Sequence, residues 1–180
     1  MIDSSKYPWR GILVGVFAMA VVVTVSNVVV QYAINDWLTW AAFTYPIAFL
    51  VTDLSNRSLG PAAARMVVYA GFLTGVVLSL VFADPRIAIA SGSAFLVAQL
   101  LDVQIFDRLR RASWWKAPLI SSGIASTVDT ALFFSLAFAG TEVPWVTLAL
   151  GDLVVKFFMA SCLLLPYRLL MRSLPRSQIA

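Results

Sequence analysis

Apolar residues fall along this chain in long blocks separated by short polar turns, and the blocks carry no alternating strand pattern. They predict six helices, over residues 11–30, 37–53, 62–83, 87–106, 117–139 and 146–170. Most approach the ~20 apolar residues needed to cross a bilayer core. The second is the shortest and is interrupted by Pro46, so residues 36–40, with Trp37 and Trp40, are expected to supply its first turn at headgroup depth. Pro61 suits the start of the third helix, whose Gly71 and Gly75 have the spacing of close helix packing. Asp84, Pro85 and Arg86 make a tight turn into the fourth. Pro166 is expected to kink the sixth.

Composition turns these helices into membrane spans. Hydrophobic residues make up 61% of the 180 positions and charged residues 12%, and no stretch is left for a soluble domain of useful size. The expected architecture is therefore an all-α, polytopic membrane protein with one six-helix domain over residues 1–180. Ala18, Met19 and Ala20 mimic a signal-peptide cleavage site, but the apolar run continues well past them, which predicts an uncleaved first helix.

Charge then orients the helices. With the N-terminus in the cytoplasm, Lys6, Arg10, Arg57, Arg65, Arg108, Arg110, Arg111, Lys116, Arg168, Arg172 and Arg176 fall on the inner side and only Arg86 on the outer. Eleven against one predicts cytoplasmic N- and C-termini. The net charge of +4 thus reflects membrane-flanking loops and carries no argument for nucleic acid. The single cysteine, Cys162, cannot form an internal disulfide. The absence of histidine excludes His-containing metal sites and Ser–His dyads.

The chemistry lies in polar residues inside the apolar blocks. A carboxylate in hydrocarbon costs about 2.5–3.5 kcal/mol on insertion scales unless it faces partners or water, and this chain has several. Asp152 and Lys156, one turn apart, are expected to pair. Asp53–Arg57 and Asp107–Arg111 have the same spacing and are expected to form boundary pairs, with Arg65 in the first turn of the next helix. Gln99 and Asp102 share a helical face with Phe95 and Phe106. Asn27 and Gln31 extend a polar stripe at the far end of the first helix, as interhelical glue or as ligand contacts. Asp129 has no basic residue within two turns on its own helix, and Ser122 and Ser126 lie on roughly its side. It requires a partner on another helix, a proton or a ligand. By rise per residue Asp129 and Asp152 sit mid-membrane, Asp102 nearer the cytoplasm, and Asn27 and Gln31 nearer the outside. Polar groups at several depths suit a binding cavity between helices.

Enzymatic readings fare poorly. An intramembrane aspartyl protease needs YD and GxGD, but Val128 precedes Asp129 and Ala149-Leu150-Gly151-Asp152 lacks the first glycine. No P-loop occurs, so any ATP drive would come from another chain. No catalytic residue, cofactor or metal site is expected.

Several stretches resemble a known family: FTYPIAFLVTDLSNRSLGPAAAR, QLLDVQIFDRLRR with the following WWKAP, STVDTALFFSLAF, DLVVKFFMASCLLLPY and, in the first helix, SNVVVQ. Together they are similar to the queuosine precursor transporters of the vitamin uptake transporter family, over about residues 24–167. The resemblance implies a six-helix carrier of bacterial inner membranes that imports 7-cyano- and 7-aminomethyl-7-deazaguanine for salvage into transfer RNA queuosine. The short 84–86 connection departs from the family and leaves little for an outer lid there.

A deazaguanine offers ring N–H and amino donors beside an acceptor oxygen. A carboxylate can take both donors while an amide or ammonium serves the oxygen, and aromatic rings can cover the flat face. Asn27, Gln31, Gln99, Asp102, Asp129, Asp152 and Lys156 could supply the polar groups, and Tyr45, Phe95, Phe106 and Phe133 the faces. Two modes remain: a self-sufficient carrier, compatible with a homo-oligomer and needing no ATPase partner, or the substrate-binding membrane subunit of an energy-coupling-factor type importer.

Overall fold

A computed structural model describes residues 9–82 and 84–173. Lys6 and Arg176, which enter the charge count, and Ala83, the expected end of the third span, lie outside the described residues. The chain runs α1 (Trp9–Val29), β1 (Ala33–Asn35), β2 (Leu38–Thr39), α2 (Ala41–Thr44), α3 (Pro46–Leu59), α4 (Pro61–Phe82), α5 (Pro85–Leu109), α6 (Lys116–Phe138) and α7 (Trp145–Ser173).

Five helices, α1, α4, α5, α6 and α7, are long and apolar enough to cross a membrane. Their outward faces confirm the environment. Leu13, Val14 and Phe17 on α1, Leu73 and Val81 on α4, and Val154 and Phe158 on α7 are all largely exposed. A water-soluble fold would not leave such continuous apolar surface uncovered. The chain is a multi-pass, essentially all-α membrane protein.

The second predicted span needs correction. Residues 33–39 form a short antiparallel hairpin, with Ala33 opposite Thr39 and Asn35 opposite Leu38. Asn35 Oδ1 accepts the Trp37 amide at 2.9 Å, an Asx turn that bends the chain back before any helix begins. Pro46 then divides the segment. It lacks the N–H that would bond the Ala42 carbonyl, so α2 ends at Thr44 and α3 starts on the proline. α3 continues to Leu59, past the expected end at residue 53, and stops where Gly60 takes a φ of 89° that a side chain would resist.

The other boundaries match expectation closely. Asp84 caps α5, accepting the Arg86 and Ile87 amides at 2.9 and 3.3 Å, with Pro85 in the first turn. α7 runs through Pro166 without interruption. Gly71 and Gly75 press α4 onto α1: a Cβ on Gly71 would stand 2.6 Å from Met19 Cγ, and one on Gly75 3.0 Å from Val23 Cγ1. That is the tight packing the spacing predicts.

Two ends of the bundle can be told apart. At one, Thr147 Oγ1 donates to the Asp36 carbonyl of the hairpin (2.7 Å) and Arg86 to the Ala139 carbonyl (2.7 Å). At the other, Arg57 Nη1 donates to the Arg110 carbonyl (2.8 Å), and Arg110 Nη2 to Asn56 Oδ1 (2.5 Å). These are the hairpin end and the arginine end.

Candidate functional site

Between the two ends, α6, α7 and the α2–α3 junction bury a compact charged cluster. Lys156 Nζ lies 2.9 Å from Asp129 Oδ2 and 2.6 Å from Asp152 Oδ2. Its residue is 3% exposed, Asp129 2% and Asp152 4%, so the surrounding protein, not solvent, must satisfy all three. Tyr45 donates its hydroxyl to Asp129 Oδ1 at 3.0 Å. Its ring also faces the ammonium, 5.1 Å from the centroid. Thr130 closes the network, donating to Asp152 Oδ2 at 2.7 Å and accepting from Lys156 at 3.0 Å.

Local sequence explains each position. Pro46 ends α2 at the turn that aims Tyr45 inward. Asp152 and Lys156 are one turn apart on α7 and meet as expected, but Lys156 also reaches across to α6. Asp129 therefore does have its partner on another helix. Thr130 escaped sequence reading because an isolated threonine in an apolar helix carries no distinguishing signal.

Clefts open on both sides of Lys156. Toward the hairpin end, Ser26, Asn27, Val30, Tyr45, Ser91 and Phe133 line one wall with the cluster. Toward the arginine end, Asp53, Ser122, Ser126, Leu163 and Tyr167 line the other, which Lys156 also touches. Each is only wide enough for a water-sized molecule in this conformation.

A second polar group lies at the seam of α3 and α5. Thr52 donates to Gln99 Oε1 in a short hydrogen bond. Asp53 and Asp102 lie within electrostatic reach of one another, with Ser121 and Ser122 of α6 beside them. Ser122 donates to Asp53 Oδ2 at 3.2 Å.

The remaining predicted residues sort clearly. Asn27 is buried and donates to Ser79 on α4 at 2.8 Å while also lining the hairpin-side cleft. Gln31 is not brought in: it is exposed, and its amide returns to the Asn27 and Val28 carbonyls at the end of its own helix. Phe95 packs under Tyr45, ring centroids 6.5 Å apart, and stacks on Phe72. Phe106 is buried against Tyr167, away from the Lys156 cluster. Arg65 is exposed.

Two expected ion pairs do not form. Asp53 does not meet Arg57, because α3 runs six residues past Asp53 and carries that carboxyl into the bundle. Arg57, near the helix end, binds the Arg110 carbonyl instead. Asp107 pairs with Arg110 at 3.0 Å, not with Arg111: α5 ends at Leu109, and Arg110, its C-cap, keeps helical backbone angles and the i,i+3 position. Trp114 in the basic loop is covered by the Arg168 guanidinium, 4.7 Å from its ring centroid, which ties that loop to α7.

Comparison with known proteins adds to this geometry. A family profile described as "Putative vitamin uptake transporter" matches residues 39–84 and 81–171. A protein of Escherichia coli named "Queuosine precursor transporter" is 32% identical over 174 residues, covering 81% of this chain and 79% of its own. A Haemophilus influenzae protein named "Probable queuosine precursor transporter" is 35% identical over 163 residues, covering 74% and 69%. One of Bacillus subtilis with the same name is 28% identical, covering 68% and 66%. No solved structure matches the chain significantly.

Proposed function

The chain belongs to the vitamin uptake transporter family, and from that membership we propose that it imports queuosine precursors, the 7-cyano and/or 7-aminomethyl derivatives of 7-deazaguanine, across a bacterial inner membrane. The observation that carries this reading is the buried Tyr45–Asp129–Lys156–Asp152 cluster with a cleft on either side. A buried polar site with a narrow cleft toward each end suits an alternating-access carrier.

In this reading α2 and α3 together make a sixth, broken span, and both termini face the cytoplasm. The hairpin end is then external, and residues 1–180 act as one domain. The base enters the hairpin-side cleft, where Asn27 and Phe133 meet it first. Asp129 exchanges Tyr45 or Lys156 for the ring N–H and amino donors, and the freed ammonium donates to the ring oxygen. Phe95 backs Tyr45 against the flat face. Because both clefts are narrow, admission requires α7 to shift against α6, breaking and remaking contacts to Lys156. Opening of the arginine-side cleft beside Ser126 then releases the base inward. No ATPase partner takes part in this reading.

The test is uptake of labelled 7-cyano-7-deazaguanine by liposomes containing this chain alone. Saturable entry, inhibited by the 7-aminomethyl base and absent from empty liposomes, is expected. Entry only after an ATPase module is added would overturn the self-sufficient carrier.

A further inference from the structure

The Asp53–Asp102 seam has no role in the cluster that receives the base, yet it holds the least satisfied polar groups in the bundle. Asp53 is 3% exposed and Asp102 is fully buried. Neither oxygen of Asp102 nor Asp53 Oδ1 meets a partner in full hydrogen-bond geometry, although Ser121 and Ser122 stand close beside them. Gln99 Nε2 is likewise unpartnered and fully buried. It belongs to the same seam, since Gln99 Oε1 is bound by Thr52, the neighbour of Asp53.

The surrounding cations are either engaged elsewhere or exposed at the surface. On α3, Arg57 binds the Arg110 carbonyl. Arg110, just past α5, is held by Asp107 and Asn56. Lys156 on α7 lies between Asp129 and Asp152. α6 offers Ser121 and Ser122, and α7 offers Tyr167, which lines the same cleft as Asp53. Arg10 on α1, Arg65 and Tyr69 on α4, and Lys116 at the start of α6 are exposed. Two carboxyl groups sharing a buried site with no cation between them cannot both be ionised. A metal ion does not fit: the unpartnered oxygens are three, from two residues, where hard cations take six or more. Among the described residues no group of three metal-binding side chains occurs. A proton needs no such shell.

Access completes the case. Asp53 lines the arginine-side cleft, and Lys156 lines it too. A proton held by the pair can therefore exchange with the cleft through which the base leaves. We propose that Asp53 and Asp102 form a proton-binding site that couples uptake to the proton gradient, one proton entering with each base. This rests on the transporter reading. Loading from the outside takes place in the outward-open conformation, and in the conformation seen here Asp53 faces the arginine-side cleft into which the proton dissociates. The neutral base itself undergoes no chemical change.

The experiment uses the full chain in liposomes, with the uncharged 7-cyano base as probe. Two quantities are read: exchange of labelled for unlabelled base with no gradient, and accumulation under an imposed pH gradient, acid outside. The wild-type protein should exchange, and should accumulate base about tenfold per pH unit for a one-proton stoichiometry, acidifying a lumenal pH dye as it does so. Asp53→Asn and Asp102→Asn mimic the protonated carboxyl, so each should exchange normally but only equilibrate the base. If one variant loses exchange through misfolding, the other decides, and loss of exchange in both overturns the assignment. Wild-type exchange with no response to the pH gradient, or with accumulation driven by sodium instead, overturns proton coupling alone. Gradient-driven accumulation surviving in both variants overturns the site. Absence of exchange by the wild-type protein brings down the transporter reading, and the coupling with it.

Discussion

Lys156 Nζ and Asp129 Oδ2 meet at 2.9 Å across the seam of α6 and α7, twenty-seven residues apart in the chain. The contact converts the i,i+4 pair of α7 into a three-membered site in which one ammonium serves two carboxylates. Deleting the members should therefore not be symmetrical. Lys156→Met strands both aspartates and should cost about 3–5 kcal/mol, whereas Asp152→Asn leaves Asp129 paired and should cost less. Asp152→Asn with Lys156→Met still strands Asp129, and stability should return only when Asp129→Asn is added. Thermal unfolding in detergent would rank the four proteins. A Lys156→Met protein as stable as the wild type would refute the arrangement.

The same excess of carboxyl groups predicts a substrate preference. The 7-aminomethyl base carries an ammonium that the 7-cyano base lacks, and Asp152 is available to it once Lys156 turns to the ring oxygen. Asp152→Asn should weaken binding of the aminomethyl base by roughly tenfold while changing the cyano base little, on the scale of one charge-assisted hydrogen bond. Calorimetric titration of both bases decides it. An equal loss for the two would remove Asp152 from contact with the substituent.

Much of this architecture was legible from the chain because membrane spans are a one-dimensional signal. Apolar blocks mark the long helices to within a few residues, and the i,i+4 rule found Asp152–Lys156. The same rule failed at Asp53–Arg57, since its outcome depends on where α3 ends, and Gly60 sets that end. The hairpin hid in a stretch that reads as an interfacial turn, its strands too short for an alternating pattern. Asp129–Lys156 and Asp53–Asp102 are contacts between helices, so no local spacing encodes them. What the sequence did announce at Asp129 was a carboxylate that needed a partner elsewhere.

The proposed topology has an accessible test. With Cys162 replaced by serine, single cysteines near Asp84 and Glu142 should react with an impermeant thiol reagent added outside intact cells, and one near Arg110 should not. Arg86 and the Ala139 carbonyl share an end of the bundle, so the first two positions must behave alike. Labelling near Arg110 would invert or break the topology.

The hairpin is expected to gate the external cleft. Gly151 on α7 sits directly against the Trp37 carbonyl, where a Cβ would collide with the backbone, and Thr147 holds the Asp36 carbonyl nearby. Gly151→Val should push the hairpin off α7, at a cost of about 1–3 kcal/mol for overpacking. Uptake should fall, with proteolysis of the hairpin accelerated. A variant with unchanged protease sensitivity and uptake would show that the contact has no gating role.

In the proposed reading Asp129 is the group most directly tied to recognition of the base. Both of its oxygens are engaged in this conformation, Oδ1 by Tyr45 and Oδ2 by Lys156, and both can be handed to a bidentate donor edge. Asp129→Asn keeps the size but replaces one acceptor with a donor, which would face the donor of the base. Loss of one hydrogen bond plus that donor–donor clash amounts to about 1–3 kcal/mol, or roughly 10- to 100-fold in affinity. Tyr45→Phe is the matched control: it removes the Oδ1 contact while leaving both acceptors, so its affinity should change by less than about tenfold. Binding of either base to purified protein, read beside uptake by cells unable to synthesise it, separates the two variants. Asp129→Asn binding as tightly as the wild type would exclude the carboxylate from the donor edge. Normal binding with uptake lost at every pH would instead assign Asp129 to the movement of α7 that carries the base across.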